Sequence, residues 1–288
     1  MALHMKKLGV SRAYRTEKGE FLCDGIKLLD EAVKSGAEVI SVLASSDIPF
    51  PLPADTRLYA ADRELIDYIS TLKNAQDVLF TCKIPPQIKV SSVIDSINAG
   101  THGAGANDID PQDTGRHGNG VYGNGVYGNG FSILLDGMQD PGNVGTIIRT
   151  ADAFRVSYVI LTGSSVDPYN PKTIRASMGA IFRQRIVSMT LGELIALEDN
   201  GARFVGAVLA SETGLDQDDV SQTIRNAADI TRIDLRGSIV AIGSEGRGLS
   251  GDVLSLCGER VTIPIAPSCE SLNAAVAAAI IIWEAMKS

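Results

Sequence analysis

Five short apolar runs after residue 130 constrain the fold of this chain more than any other feature. Each run has the length and the β-branched composition of a buried strand, and helix-compatible segments separate one run from the next. The runs are FSILLDG, SYVILTG, RFVGAVLA, SIVAIGSEG and RVTIPIA. Their alternation predicts an α/β fold in which a mostly parallel sheet carries helices on both faces. Ligands of such sheets bind at the carboxyl ends of the strands, so the stretches that follow the runs form the candidate site.

The first part of the chain predicts a smaller α/β domain. The stretch FLCDGIKLLDEAVKSGAEVISVLAS is typical of a helix that ends near Gly36 and is followed by an apolar strand. The segments DRELIDYIS and DVLFTCKI add a second helix and a second strand.

The segment that leads into this domain is positively charged, although the chain as a whole is acidic. Against the single acid Glu17 it carries five basic residues, which are Lys6, Lys7, Arg12, Arg15 and Lys18. Two interpretations are open: the segment is a solvated and frayed terminus, or it contacts phosphates.

Residues 99–130 differ sharply in composition from the rest of the chain. They are rich in Gly, Asn and Asp and contain a tandem NGVYG repeat. Such a composition cannot bury enough apolar surface to offset the entropy of ordering the chain, so a flexible linker is predicted. Stacking of Tyr122 and Tyr127 on bases is the less favoured interpretation. The predicted organisation is a domain over residues 1–98, a linker over 99–130 and a domain over 131–288.

The composition argues against several classes of function. The 288 residues carry 26 basic and 34 acidic side chains, and the net charge of −8 argues against indiscriminate binding of polyanions. The four cysteines form no C-x-x-C pair and the three histidines are scattered, so neither a metal site nor a Ser-His-Asp triad is expected. Scattered cysteines favour a reducing, cytoplasmic location. The longest apolar stretch, about residues 272–283, is too short to cross the ~30 Å hydrocarbon layer of a membrane.

The stretch DPGNVGTIIRTADAF, residues 140–154, follows the first apolar run and predicts a turn that continues as a helix. Asn143 is expected to cap this helix, leaving N–H groups ready for an anion. Gly145, Arg149 and Asp152 share a face away from the apolar stripe. Arg149 either forms a surface pair with Asp152 or holds its guanidinium over a site whose floor is the Gly145 backbone.

The stretch GSEGRGLSG follows the fourth run and has glycines at positions 243, 246 and 248. Their spacing is the reverse of the G-x-G-x-x-G fingerprint of dinucleotide-binding folds, so that interpretation is weak. Glycines allow a flat ligand to approach the backbone closely, with Glu245 as the charged acceptor beside it. The alternative is a glycine-lined turn with a surface glutamate.

The stretch IPIAPSCESLN follows the fifth run and leads into the helix LNAAVAAAIIIWEAM, with Ser271 at its expected start. That helix is apolar nearly all round, so it must be covered on more than one side, by the domain or by a second subunit. Asn273 interrupts the apolar residues. It is either a buried amide satisfied by the backbone or an amide that positions a ligand.

Taken together, the patterns N-x-G-x-x-x-R, G-S-E-G-x-G and I-P-I…S-L-N, in this order and spacing, resemble the three motifs of the SpoU/TrmH family of RNA 2′-O-ribose methyltransferases. The resemblance covers residues 131–288. The unit before the linker is similar to the substrate-recognition domain that many ribosomal-RNA members carry. The resemblance implies a trefoil knot in the parallel sheet and a homodimer whose site lies near the interface.

The resemblance also implies a cofactor and a set of site residues. The methyl donor S-adenosylmethionine is expected to touch Gly243, Ile263 and Leu272. The family's polar positions around the reacting ribose correspond to Asn143, Arg149, Glu245 and Asn273. A guanidinium is hardly ever deprotonated in proteins, so the motif arginine is expected to bind the adjacent phosphate and stabilise a developing oxyanion.

The implied substrate is RNA, with ribosomal RNA favoured and transfer RNA as the alternative. A second positive segment, free of acids, supports an RNA track, and its basic residues are Lys172, Arg175, Arg183 and Arg185. Two rival functions remain, a non-catalytic RNA-binding protein that retains the fold and a nicotinamide-dependent oxidoreductase.

Overall fold

A computed structural model describes residues 1–72, 75–101, 130–209, 227–266 and 268–287. The described residues form two sheets, one in each part of the chain. The NGVYG repeat and both of its tyrosines lie outside the described residues, so the linker interpretation stays a prediction.

The N-terminal unit is built around a four-stranded sheet in the order β1-β4-β2-β3. Its helices are α1 (Ala2–Val10), α2 (Arg12–Lys18), α3 (Ile26–Lys34) and α4 (Arg63–Ile69). Its strands are β1 (Glu20–Asp24), β2 (Val39–Ala44), β3 (Arg57–Ala60) and β4 (Val78–Lys83). A further helix, α5 (Val90–Thr101), leads out of this unit.

The C-terminal unit contains a seven-stranded sheet in the order β7-β6-β5-β10-β8-β11-β9, and every pairing in it is parallel. Its strands are β5 (Ser132–Leu135), β6 (Val159–Thr162), β7 (Ile186–Met189), β8 (Arg203–Ala207), β9 (Ala228–Asp229), β10 (Ser238–Ile242) and β11 (Glu259–Thr262). Its helices are α6 (Pro141–Ala153), α7 (Pro171–Ser177), α8 (Leu191–Asp199), α9 (Gly251–Leu256) and α10 (Ala274–Met286). The predicted α/β class and all five predicted strands are confirmed.

Four strands were not predicted. Strand β1 is read from the sequence as the start of a helix, but Gly25, at φ 119°, ends the strand and separates it from α3. Strand β3 is exposed along its length, and β7 alternates between buried and exposed residues. Strand β9 has two residues. None of these three presents the continuous apolar run by which a buried parallel strand is recognised.

Side chains alternate between the two faces of the large sheet, and each face carries its own helices. One buried cluster joins Ile133 of β5 to the inner faces of α6 and α10. The other joins the next residue, Leu134, to α5, α8 and α9. The expectation of helices on both faces is therefore confirmed. The trefoil knot implied by the family resemblance stays a prediction.

The N-terminal and C-terminal units share one continuous apolar core. Phe21 of β1 packs on Tyr169 with ring centroids 4.8 Å apart, and Phe182 lies 6.2 Å from Phe21 and 6.5 Å from Phe80. The same buried cluster contains residues of both units. The relative placement of the units, which the long Gly/Asn tract leaves open, is set by this packing.

Ion pairs involve two cations, Arg15 and Arg183, that the sequence makes candidates for RNA contacts, and each pairs across the same boundary. Arg15 is buried and pairs with Asp167 at 2.6 Å. Arg183 pairs with Glu31 of α3 at 2.6 Å and with Asp152 of α6 at 2.9 Å. The leading segment is folded as α1 and α2, so the frayed-terminus interpretation is wrong.

Helix α5 belongs structurally with the C-terminal unit. Val93 is fully buried in the cluster that contains α8 and α9, and Ile88 and Ile94 pack against it. The helix also runs to Thr101, so residues 99–101 are helical although their composition places them in the linker. No helix among the described residues is both long and apolar enough to cross a membrane.

Candidate functional site

The candidate site lies where the loops after β5, β10 and β11 meet. Each loop follows the carboxyl end of a parallel strand, and β5 and β10 are direct neighbours in the sheet. The three sequence motifs therefore come together, as the resemblance implies.

The first motif opens helix α6. Asp140 caps this helix, because its side chain accepts a hydrogen bond from the backbone N–H of Asn143 at 2.7 Å, and Pro141 occupies the first turn. The prediction that Asn143 is the cap is therefore wrong by three positions. Its side chain is released from capping and points to the other two motifs.

A chain of hydrogen bonds links one residue from each motif. The Asn143 amide nitrogen donates to the Glu245 carboxylate, and the Asn273 amide nitrogen donates to Asn143 Oδ1 at 3.0 Å. The oxygen of Asn273 accepts from the N–H groups of Ala275 and Val276, at 2.9 and 3.3 Å, and so caps α10. This cap leaves the Asn273 amide nitrogen as the donor. It thereby sets the direction of the chain toward Glu245.

The structure differs from two expectations about the third motif. Helix α10 is capped at Asn273, two residues after Ser271. Asn273 is exposed, so it is not a buried amide, and it both caps the helix and orients a second side chain.

Arg149 does not take part in this series of hydrogen bonds. It is exposed, lies six residues after Asn143 on α6, and makes no hydrogen bond or ion pair with any residue that the structure describes. Asp152 pairs instead with Arg183, so the surface-pair interpretation is wrong. Gly145 does not lie under the guanidinium, because it is buried against Thr173 and Ala176 of α7.

An open cavity adjoins the hydrogen-bond chain, and its empty volume of about 730 Å³ includes the solvent at its mouth. Its apolar lining comes from Ile242, Val261, Ile263, Leu272, Ala277 and Ile281. Gly243, Ser244, Glu245 and Ser271 supply polar and backbone groups at its edge. All three residues predicted to contact the cofactor line this one cavity, and Glu245 connects it to the other polar residues.

Gly243 is required by the backbone of its own loop. A Cβ at this position would overlap the backbone of Gly248 and Leu249. Ser244 and Gly248 exchange two backbone hydrogen bonds, at 3.1 and 2.9 Å, and Gly248 has φ +64°. Two of the three glycines of this motif therefore form a tight loop, and Glu245 lies within it.

Asp136 is a site residue that sequence reasoning missed. It directly follows β5 and is buried, and its carboxylate accepts from the backbone N–H of Ser250 at 2.7 Å. Ser250 caps α9, so Asp136 holds the end of the glycine loop against the neighbouring strand. An acid directly after an apolar run, as in ILLDG, is the signal that could have identified it.

Cys257 is a buried free cysteine near the site. Burial raises the pKa of the Cys257 thiol, which packs against Gly206 of β8, to about 12, so it stays protonated at neutral pH. Among the described residues no group of three or more His, Cys, Asp or Glu side chains could hold a metal ion.

Comparison with known proteins agrees with this site. The family model described as the SpoU rRNA Methylase family matches residues 130–283. The 23S rRNA (guanosine(2553)-2'-O)-methyltransferase RlmP of Bacillus subtilis is 26% identical over 284 residues, which are 98% of this chain and 92% of the relative. The 23S rRNA (uridine(2479)-2'-O)-methyltransferase of Streptomyces viridochromogenes is 30% identical and covers 96% of this chain and 86% of the relative.

Solved structures match along nearly the whole chain. A TrmH-family structure from Porphyromonas gingivalis superposes with a TM-score of 0.74 at 26% identity, covering 99% of this chain and 96% of that chain. The SpoU methyltransferase AviRb from Streptomyces viridochromogenes, in complex with the cofactor AdoMet, gives 0.71 at 27% identity with the same coverage. This chain therefore belongs to the SpoU rRNA Methylase family.

Proposed function

We propose that this protein is an S-adenosylmethionine-dependent RNA 2′-O-ribose methyltransferase that acts on ribosomal RNA. Its family membership supports the reaction class, and relatives that align along almost its whole length are named for 2′-O-methylation of 23S rRNA. A ribosomal RNA substrate fits the cytoplasmic location favoured by the scattered cysteines.

The observation that carries the proposal is the convergence of three motifs. Asn143 lies 102 residues before Glu245 and 130 residues before Asn273 in the sequence. The three side chains nevertheless form one series of hydrogen bonds. That chain opens onto the cavity lined by Gly243, Ile263 and Leu272. A non-catalytic RNA-binding protein would not need a polar chain fixed beside a mostly apolar cavity.

The cavity fits S-adenosylmethionine. Its apolar side chains suit the flat base of a nucleoside. Ser244, Glu245 and Ser271 at the edge offer hydrogen-bonding groups for the polar parts of the molecule. When bound, the donor supplies a methyl group on a positively charged sulfur.

Arg149 is assigned to the RNA. An exposed guanidinium with no partner among the described residues is free to bind the phosphate next to the target ribose. Because it stays protonated, it also stabilises negative charge that develops on the ribose 2′-oxygen.

Glu245, Asn143 and Asn273 are assigned to the ribose side of the cavity. Asn273 orients the Asn143 amide, and Asn143 in turn holds one oxygen of the Glu245 carboxylate. The other carboxylate oxygen is then directed by this contact and is available to a ribose hydroxyl.

The N-terminal unit is proposed to recognise the RNA. We place its end near residue 84, after β4, because Ile88, Val93 and Ile94 pack on the C-terminal unit.

The cations that the structure leaves exposed and without an ion pair in the described residues include Arg149, Lys172 and Arg175. All three lie on the adjoining helices α6 and α7, so the RNA path runs along that side of the molecule.

A homodimer is proposed from the surface of α10. Val276 and Trp283, seven residues apart on one face, are 49% and 53% exposed. Trp283 also contacts Phe154 at the end of α6, with ring centroids 5.8 Å apart. An apolar stripe of this kind fits a second copy of the same surface.

Two measurements test the proposed function. Calorimetry with S-adenosylmethionine should show binding, and labelled methyl transfer to unmodified ribosomal RNA should yield alkali-resistant 2′-O-methyl nucleotides. Transfer to tRNA alone would replace the substrate, and donor binding without transfer to any RNA would favour the non-catalytic alternative. Binding of NADH with no binding of S-adenosylmethionine would support an oxidoreductase instead.

A further inference from the structure

An ion pair is buried between the N-terminal unit and the loop that follows β6. Arg15 of α2 is 4% exposed, and its Nε donates to Asp167 Oδ2 at 2.8 Å. A second nitrogen, Nη2, lies 2.6 Å from the same oxygen. The third, Nη1, donates to the carbonyl oxygen of Leu8 at 2.6 Å, so the guanidinium is held from both sides.

Asp167 organises the loop over residues 163–170. Its Oδ1 accepts from the backbone N–H of Tyr169 at 2.9 Å, and its carbonyl oxygen accepts from the N–H of Asn170 at 3.0 Å. Asn170 caps α7. Arg15 therefore binds the one carboxylate that shapes this loop, and the other oxygen of that carboxylate remains committed to the loop backbone.

This loop in turn holds the segment that leads into α6. The Ser165 hydroxyl donates to the carbonyl oxygen of Leu135 at 3.0 Å and accepts from the N–H of Met138 at 3.2 Å. The N–H of Val166 donates to the carbonyl oxygen of Met138 at 2.8 Å. Asp140, which caps α6, follows two residues later.

A second contact from α2 reaches the same loop. Arg12 Nη1 donates to the carbonyl oxygen of Ser165 at 3.4 Å. Helix α2 therefore contacts the loop at two residues. One is Ser165, which bonds to Met138, and the other is Asp167, which orders the loop backbone.

We propose that Arg15 and Asp167 are positioning residues, which hold the start of α6 and hence Asn143 in register with the N-terminal unit. The path runs from Arg15 through Asp167 and the Ser165 contacts to the cap of α6. The effect of these contacts on catalysis rests on the proposed function, since Asn143 is the residue that the first motif contributes to the hydrogen-bond chain.

Burial makes this pair suited to such a role. Replacing a buried ion pair by apolar residues is often neutral for stability, whereas removing one partner leaves an uncompensated charge. The pair adds directional, charge-assisted hydrogen bonds to the apolar interface formed by Phe21, Tyr169 and Phe182.

The test compares hydrogen exchange and kinetics in four single variants of the full-length protein. Arg15→Met removes the charge at nearly constant volume, Asp167→Asn is isosteric, and Arg15→Lys keeps the charge but not the planar fork. The matched control is Arg63→Met, which breaks exposed pairs with Asp67 and Asp77 inside the N-terminal unit. Exchange is followed at the amides of residues 136–146 and at those of β1 and β4.

We expect Arg15→Met and Asp167→Asn to speed exchange at residues 136–146 while β1 and β4 stay protected. With ribosomal RNA transcribed in vitro, kcat should fall by about 10- to 100-fold with little change in KM for S-adenosylmethionine, the cost of roughly 1 Å of misplacement. Arg15→Lys should recover part of kcat, and Arg63→Met should match the wild type.

The inference is overturned if Asp167→Asn, which preserves the loop's backbone acceptor geometry, leaves exchange at 136–146 and kcat equal to those of Arg63→Met. If Arg15→Met does not fold, Asp167→Asn decides alone. A wild-type protein that transfers no methyl group to any RNA would remove the proposed function, and the exchange data would still decide the positioning inference.

Discussion

The sequence motif predicts a function for Arg149, and the structure leaves its side chain free to perform it. It is exposed on α6 with no ion pair in the part of the chain that the structure describes. A guanidinium that structural contacts do not occupy is available to a ligand, and its permanent charge suits a phosphate or a developing oxyanion.

Substitution Arg149→Ala should therefore abolish function without disturbing the donor site. Methyl transfer is expected to fall by about 10²- to 10³-fold, the range for removal of one oxyanion-stabilising donor. Affinity for S-adenosylmethionine should stay within a few-fold, because the cavity is lined by other residues. Single-turnover assays and calorimetry measure the two quantities, with Arg236→Ala as the control for loss of an exposed arginine. Near-normal transfer would contradict the assignment.

The direction of the hydrogen-bond chain can be tested with Asn143→Asp. This change places a second carboxylate against Glu245, and two adjacent carboxylates raise the pKa of one of them. Repulsion acts when both groups are ionised, so activity should be lowest at high pH and recover as the pH falls through the raised pKa. Asn143→Ala removes the donor at every pH and is the control. Parallel pH–rate profiles for the two variants would contradict the arrangement.

At the scale of elements, the packing of α6 on α7 depends on one glycine. A Cβ at Gly145 would lie 2.5 Å from both the carbonyl oxygen of Thr173 and the Cβ of Ala176. The contact brings the α6 backbone against α7, and α7 follows the loop that Asp167 organises. Gly145 is thus a packing residue between two helices, and its place in the first motif follows from that contact.

Gly145→Ala should destabilise the protein although alanine favours helices. Overpacking at a tight backbone contact costs about 1–3 kcal/mol, which exceeds the propensity gain of about 1 kcal/mol. The matched control is Gly192→Ala in α8, where an added Cβ meets nothing within 4 Å and only the propensity gain remains. Urea unfolding of both variants measures the difference. Equal stabilisation by the two changes would show that α6 and α7 can separate at little cost.

At the scale of the whole molecule, the two units form one packed body. The sequence composition suggests tethered domains, but Phe21, Tyr169 and Phe182 cross the boundary in a shared core. Separating the units would expose this surface on both sides. The N-terminal unit therefore also stabilises the unit that carries the site.

Residues 85–288 expressed alone, which retain α5, should accordingly be less stable and more prone to aggregate than the full chain. Each large apolar side chain that becomes fully exposed loses roughly 1.5–3 kcal/mol of burial. Thermal unfolding and light scattering measure the effect. Deleting one NGVYG repeat is the control and should change little, since closure entropy varies by about 0.6 kcal/mol per doubling of loop length. A stable, monodisperse fragment would contradict a shared core.

The proposed dimer predicts a sharp effect of Trp283→Glu. A charge in the exposed stripe on α10 should dissociate the dimer while the fold of the protomer is retained. Sedimentation measures the mass, and Lys287→Glu, at the exposed end of the same helix, is the control. A monomeric wild-type protein, or a dimeric Trp283→Glu variant, would rule out this interface.

The sequence by itself determined the strands that form the centre of the large sheet and the three motifs from which the candidate site is built. Apolar runs such as FSILLDG and SIVAIGSEG are local signals, because a strand buried on both faces must be apolar throughout. The motifs were readable for the same reason, since each occupies one short segment. Gly243, Ile263 and Leu272 accordingly line a single cavity in the structure.

Only the tertiary structure decided which partners these residues have. The hydrogen bonds of Asn143 span 102 and 130 residues, and the Arg15–Asp167 pair spans 152, so no local pattern encodes them. A basic residue in the sequence is equally consistent with an RNA contact or a buried ion pair, and burial alone distinguishes Arg15 from Arg149. The chain's composition specifies which charged and polar side chains are available. Packing between distant segments determines which of them pair with other residues of the fold and which remain free for a substrate.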